Sequence, residues 1–208
     1  MKTNEIRKMI KDAVSDEKKT GRLAEAVRNL ARQRGLNSSP QDVQGVVSFV
    51  QEYIEHVPHF MEQGANAGAQ LGLGREMGQM LAELEAYWFE ADDVIPDWLG
   101  LMGLMDDAYA SLLLLQSLSD YCATVHGRPL LQQNFTQANQ VVRGLIGEPA
   151  ASHLDQRVGI TVANAMMQSA LGQVMNSGFT FGAMPDPIWG NASIDEIVNV
   201  RLGAMGVV

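Results

Sequence analysis

The spacing of apolar residues predicts α-helices over most of the chain. In the N-terminal part, apolar residues recur at helical intervals on both sides of Gly21: Ile6, Ile10 and Ala13, then Leu23, Val27 and Leu30. Residues three or four positions apart share one face of a helix, so each run predicts a helix with one buried face. The pattern therefore predicts two N-terminal helices, or one helix that is kinked at Gly21.

Similar apolar stripes follow, separated by proline, glycine and polar residues. They cover residues 43–57, 73–88, 131–145 and 163–174. Ser39, Pro40 and Asp42 predict the start of the first of these helices, since they offer a capping hydroxyl, a first-turn proline and a carboxylate near the positive helix end. Ser193 and Glu196 have the spacing of a capping box and predict a short C-terminal helix. No run alternates with a period of two, so we expect no substantial strand.

Four consecutive leucines, residues 112–115, distinguish one helix from the others. Successive residues step about 100° around a helix, so these side chains point in all directions. A helix that is apolar on every side is buried at the centre of a bundle or spans a membrane. Asp106, Asp107 and Asp120 leave no uninterrupted apolar stretch of about 20 residues, which argues against a membrane span. We therefore predict an all-α, multi-helix bundle around a central leucine-rich helix.

Charge divides the chain into a basic N-terminal segment and an acidic remainder. Residues 1–34 carry ten Lys or Arg and five Asp or Glu, whereas the rest carries five and nineteen, giving net charges of +5 and −14. We therefore divide the chain into a basic helical arm, residues 1–38, and one all-helical domain, residues 39–208. The 46% hydrophobic content of this 208-residue chain is enough for a core and excludes disorder throughout.

A basic arm can bind nucleic acid or an anionic membrane surface. Five acidic residues are interspersed among the basic ones, and they weaken any footprint for phosphate groups. We therefore favour a solvated amphipathic arm that contacts another protein or a neighbouring copy of this chain. Nucleic acid is not a favoured partner, whereas a membrane surface stays an alternative.

The expected compartment is the cytoplasm. The first twenty residues carry Lys and Arg at six positions and lack the apolar core of a signal peptide. Cys122 is the single cysteine, so no intrachain disulfide can form.

The segment DVIPDWLGLMGLMDD, residues 93–107, encloses an apolar middle between aspartates. Its pattern is Asp93-x-Ile95-Pro96-Asp97, followed by Gly103 and by Asp106-Asp107. This pattern resembles the signature of the YkvA-like family, mostly bacterial domains of unknown function, over residues 83–120. The resemblance implies a small helical domain with the same local structure, and it implies no activity.

Two interpretations of this segment stay open. In the structural interpretation, the aspartates occupy the first turns of helices, where carboxylates meet unpaired amides, and the apolar run from Trp98 to Met105 packs inside the protein. In the functional interpretation, four carboxylates converge on a divalent metal ion such as Mg²⁺, Mn²⁺ or Ca²⁺. The predicted metal ligands are Asp93, Asp97, Asp106 and Asp107, with Ile95, Pro96, Trp98 and Gly103 as the other motif residues.

The sequence favours a binding or assembly module without catalytic activity and without a cofactor. We expect a homo-oligomer, or a complex with another protein, formed through the basic arm. Two alternatives are an enzyme that depends on a carboxylate-bound metal and a peripheral membrane protein. The membrane contact would then involve the arm or the loop that contains Trp98.

Overall fold

The computed structural model describes residues 2–70, 74–90, 94–126 and 129–168. Within these ranges the chain forms eight α-helices and one 3-10 helix, and no strand. The α-helices are α1 (Thr3–Thr20), α2 (Arg22–Gln33), α3 (Pro40–Glu55), α4 (Val57–Gln70), α5 (Gly74–Tyr87), α6 (Met105–His126), α7 (Thr136–Ile146) and α8 (Ala150–Gln168). The 3-10 helix is Asp97–Met102. The predicted all-α bundle is confirmed.

The predicted break at Gly21 separates α1 from α2. Gly21 has a φ of 62°, and its N–H donates to the Glu17 carbonyl oxygen at 2.8 Å. The Glu17 carboxylate also accepts the N–H of Leu23 at 2.9 Å and that of Ala24 at 3.2 Å. Glu17 therefore supplies acceptors to the first turn of α2, where amides lack partners within the helix.

The basic arm packs into the same hydrophobic core as the rest of the described chain. Ile6, Ile10, Leu23 and Val27, which define its apolar stripes, are all buried. Helix α1 contacts α3, α4 and the 3-10 helix, and α2 contacts α3 and the 3-10 helix. The apolar face of the arm is thus covered by its own chain, so any contact with a partner has to use its outer face.

Helix α3 begins as predicted. The Ser39 hydroxyl accepts the N–H of Asp42 at 3.2 Å, while the Asp42 carboxylate accepts the N–H of Ser39 at 2.8 Å. This reciprocal pair is a capping box, and Pro40 occupies the first turn. In the helix that begins there, Val46 and Val50 lie on the face that is buried in the core.

Helix α6 is the central helix, as predicted. Leu112, Leu114 and Leu115 are buried, although they point in different directions. The helix contacts α3, α4, α5, α7 and α8, so neighbours surround it on several sides. Of the helices in the described ranges, none combines the length and the apolar character needed to cross a membrane.

The predicted stripe of residues 163–174 begins too late in the chain. Helix α8 starts at Ala150, and its buried side chains are Ala151, Leu154 and Val158. Ala163, the first residue of the predicted stripe, is exposed. The continuation of that stripe to residue 174, and the capping box of Ser193 and Glu196, lie outside the described residues.

Candidate functional site

The buried Asp106 carboxylate anchors the loop that carries the motif residues Ile95 and Pro96, which we call the motif loop. Asp106 lies in the first turn of α6 and is fully buried. Its Oδ2 accepts the backbone N–H of Ile95 at 3.0 Å and the Tyr87 hydroxyl at 3.1 Å. One carboxylate therefore joins the end of α5, the motif loop and the start of α6. The sequence placed Asp106 correctly at a helix start but did not reveal these partners.

Burial raises the pKa of Asp106 from 3.8 to about 6. The hydrogen bonds from Ile95 and Tyr87, and the backbone amides of Asp106 and Asp107, favour the carboxylate and partly oppose this shift. Oδ1 of Asp106 is buried and has no hydrogen-bond partner among the described residues. The carboxyl group is thus held beneath the loop and away from solvent.

The predicted metal ligands that the structure describes differ in their exposure to solvent. Asp106 and Asp107 are fully buried, whereas Asp97 is exposed at the start of the 3-10 helix. Asp93 lies outside the described residues. In the part of the chain that the structure describes, no group of three or more His, Cys, Asp or Glu could hold a metal ion. A site that includes Asp93 stays a prediction from the sequence.

The backbone of the motif loop packs too closely for a side chain at Gly103. A Cβ atom there would lie 2.5 Å from the Pro96 carbonyl oxygen and 2.8 Å from the Asp97 Cα. The same Pro96 oxygen accepts the N–H of Leu99 at 3.0 Å. The motif glycine therefore lets the two ends of the 3-10 helix region approach each other.

The expectation that the whole apolar run packs inside is wrong for Trp98. Leu101, Leu104 and Met105 are buried, but Trp98 is 73% exposed. Gly100 interrupts the 3-10 helix between Trp98 and Leu101 with a φ of 69° and a ψ of −131°. This change of backbone direction turns Leu101 inward and leaves the indole of Trp98 in solvent.

The backbone of Trp98 is fixed by Arg22 at the start of α2. Nη1 of Arg22 donates to the Trp98 carbonyl oxygen at 2.7 Å and lies 3.2 Å from Oδ2 of Asp16 in α1. Gly100 also approaches α1 closely, since a Cβ atom there would lie 3.2 Å from Oδ2 of Asp16. The exposed indole therefore projects from a backbone that is tied to both N-terminal helices.

Beside Trp98 lies a groove of about 460 Å³ between α1 and the 3-10 helix, which we call the Trp98 groove. Its apolar lining comes from Met9, Ala13, Leu104 and Trp98. Its charged lining comes from Asp12, Asp16, Asp97 and Arg22. Three carboxylates and one guanidinium give this lining a formal charge of −2. The surface is suited to an apolar group accompanied by positive charge.

Sequence reasoning missed this groove because its parts are distant in the chain. The signal that was present is the spacing of Met9, Asp12, Ala13 and Asp16, which places them on one edge of α1. Nothing in the sequence showed that Trp98 would lie against that edge. The contact arises from tertiary packing of α1 on the 3-10 helix.

Comparisons with protein-family models, with curated proteins and with solved structures gave no significant match. The YkvA-like resemblance therefore stays a prediction that is based on the motif residues.

Proposed function

We propose that this protein is a non-catalytic binding module that docks another protein on the Trp98 groove. The observation that carries the proposal is the 73% exposure of Trp98 on a backbone held by Arg22. Tryptophan is enriched among the residues that dominate binding energy in protein interfaces. A residue whose backbone is already ordered loses less conformational entropy on binding, which favours complex formation.

The groove beside Trp98 adds specificity to this contact. Asp12 and Asp97 are exposed at its edge, and Met9 and Ala13 provide partly buried apolar surface. Charged groups around an apolar centre select partners by the sign of their charge and speed up association. A partner with basic residues beside apolar or aliphatic surface would match this arrangement.

The surroundings of Asp106 support a structural role for this residue better than a catalytic one. Asp106 is fully buried, and its Oδ2 is engaged with Ile95 and Tyr87. A general acid or base has to come within hydrogen-bonding distance of its substrate. These contacts support the proposal that Asp106 shapes the loop that displays Trp98.

We also propose a cytoplasmic location. Cys122, the single cysteine of the chain, is buried, and burial raises the pKa of its thiol to about 11. Burial thus disfavours the thiolate, and a single cysteine forms no intrachain disulfide, which suits a reducing compartment.

Site-specific photo-cross-linking in cells tests the proposed binding surface. A photoreactive phenylalanine derivative is incorporated at position 98, and the matched control carries it at position 160. Ile160 is also an exposed apolar residue, at 54%, but lies on α8. We expect discrete cross-linked protein species from position 98 and only background from position 160.

Two results would contradict the proposed function. Equal background from both positions would show that Trp98 contacts no protein. Cross-links from position 98 to lipid alone would instead support the peripheral membrane alternative.

A further inference from the structure

The outer surface of α1 carries a stripe of lysines next to the Trp98 groove. Lys8, Lys11, Lys18 and Lys19 are all exposed, and none forms an ion pair with another described residue. At 100° per residue, these four positions fall within about 100° of the helix circumference. We call them the lysine stripe.

An acidic edge runs along α1 directly beside the lysine stripe. Asp12 and Asp16 lie about 40° apart on the helix, between the lysine stripe and the groove residues Met9 and Ala13. Going around α1, the order is therefore buried core, lysines, acids and groove. One helix thus presents two adjacent and oppositely charged edges.

We propose that the Trp98 groove binds the lysine stripe of a second copy of this chain. The inference rests on the function proposed above and names the partner of the same site. In the proposed dimer, the two α1 helices lie side by side and parallel, and a two-fold axis runs between them along the same direction. This symmetry places the lysine stripe of each copy against the acidic edge of the other. Such an interface is isologous, since each copy contributes the same surface.

In this arrangement the lysines of one copy have specific acceptors on the other. Along the helix axis, Lys11 is level with the partner's Asp12. Lys18 is close to the level of the partner's Asp16. The exposed indole of Trp98 offers a ring face to an ammonium group or to the aliphatic part of a lysine side chain. The contact therefore combines ion pairs with burial of the most exposed aromatic side chain in the described chain.

The overall charge of the protein restricts which surfaces of two copies can meet. The chain has a formal net charge of −9 at pH 7, so two copies repel each other in most orientations. The lysine stripe can approach the groove with net attraction, because the three carboxylates of the groove lining outweigh the single guanidinium of Arg22. Because the contact depends mainly on exposed charges, we expect a reversible dimer that salt weakens.

The first test measures the mass of the purified full-length chain by sedimentation equilibrium at low salt and at about 1 M salt, where charges are screened beyond about 3 Å. We expect a dimer at low salt and a monomer at high salt. A monomer at low salt, even at millimolar concentration, would overturn the proposal. So would a dimer that high salt does not weaken.

The second test exchanges charges between the two edges. Lys11→Glu and Asp12→Lys each place like charges on both sides of the interface, so each variant alone should raise the dimer Kd at least about tenfold. An equimolar mixture of the two should form a heterodimer with a Kd near that of the unaltered chain. The heterodimer has two contacts between position 11 of one copy and position 12 of the other. One contact keeps the native lysine–aspartate pair, and in the other the positive and negative charges are exchanged.

The matched control is Arg28→Glu, which makes the same change of charge at an exposed position on α2. It should leave the dimer Kd unchanged, and circular dichroism should show that all three variants remain helical. Failure of the mixture to restore the dimer would overturn the proposed pairing. An effect of Arg28→Glu as large as that of Lys11→Glu would also overturn it, since net charge alone would then explain the result.

These results separate this inference from the proposed function. If position 98 cross-links a different protein while the purified chain stays monomeric, the binding surface stands and the second-copy partner is wrong. If position 98 cross-links nothing and the chain is monomeric, both proposals are wrong.

Discussion

Trp98 and Leu101 are three residues apart in one 3-10 helix, yet Trp98 is 73% exposed and Leu101 is fully buried. In a regular 3-10 helix, side chains at positions i and i+3 lie on the same side. The φ of 69° at Gly100 breaks this regularity between the two residues. One short apolar segment therefore contributes to the core and also displays an aromatic side chain to solvent.

The first prediction concerns the close backbone contact at Gly103. Gly103→Ala would place a Cβ atom 2.5 Å from the Pro96 carbonyl oxygen, and the backbone on both sides would have to move. Overpacking of this kind costs about 1–3 kcal/mol, so we expect a loss of that size in the free energy of unfolding. Chemical denaturation measures it.

The matched control for Gly103 is Gly159→Ala in α8. A Cβ atom at Gly159 would meet nothing within 4 Å, and alanine is favoured over glycine inside a helix by about 0.5–1 kcal/mol. The control should therefore leave stability unchanged or raise it. Equal effects of the two substitutions would contradict the proposed role of Gly103.

The second prediction concerns the pH dependence that Asp106 gives to stability. Its pKa is about 6 in the folded protein and 3.8 for the unperturbed group, so the folded state binds the proton more tightly. The free energy of unfolding should therefore fall as the pH rises from about 4 to about 6. A pKa difference of this size corresponds to about 3 kcal/mol of unfolding free energy.

Asp106→Asn isolates this contribution because the amide does not titrate. The amide oxygen of the variant can still accept both the Ile95 N–H and the Tyr87 hydroxyl, because both donate to the single oxygen Oδ2 of Asp106. We expect the difference in unfolding free energy between the two proteins to change by about 2.5 kcal/mol between pH 4 and pH 7, because the unfolded carboxyl is already partly ionised at pH 4. A difference that stays constant over this range would contradict the raised pKa of Asp106.

The elements that could be predicted from the sequence depend on local interactions. The capping box of Ser39 and Asp42 joins residues three positions apart, and Gly21 ends α1 through its own backbone conformation. The start of α8 was missed because its buried stripe of Ala151, Leu154 and Val158 is interrupted by polar residues. Short stripes of this kind give a weak periodic signal.

The features of the candidate site depend on contacts between distant residues. Asp106 finds its partner Tyr87 nineteen positions away, and Arg22 reaches Trp98 across 76 positions. A sequence motif indicates that its residues belong to one local structure, but it does not identify which of their atoms are in contact. The exposure of Trp98 follows from the backbone conformation at Gly100, where Asp16 of α1 lies close by, and the periodicity of apolar residues does not reveal that conformation.

The third prediction concerns the N-terminal arm as part of the core. Ile6 in α1 is fully buried, so Ile6→Ala should lower the free energy of unfolding by about 2–5 kcal/mol. Ile160→Ala makes the same chemical change at a residue that is 54% exposed and should cost much less. Chemical denaturation of both variants measures this. If both variants lost a similar, small amount of unfolding free energy, the arm would contribute little to the core.

The last prediction contrasts two tryptophans that lie ten positions apart. Trp88 is fully buried, and its indole Nε1–H donates to the Ser111 hydroxyl at 3.0 Å, whereas Trp98 is 73% exposed. Trp88→Ala should therefore cost about 3–5 kcal/mol of unfolding free energy. Trp98→Ala should change it by less than about 0.5 kcal/mol, because a surface substitution leaves the core intact.

Fluorescence tests the same contrast without removing Trp98. In a variant with Trp88→Phe and Trp189→Phe, the emission comes from Trp98 alone. In dilute protein at high salt, where the proposed dimer is dissociated, we expect red-shifted emission that acrylamide quenches readily. Raising the protein concentration at low salt should reduce that quenching, since the second copy would then cover the indole. A blue-shifted and protected Trp98 in the dilute, high-salt sample would show that the side chain packs inside the monomer, and it would remove the basis for the Trp98 groove as a docking surface.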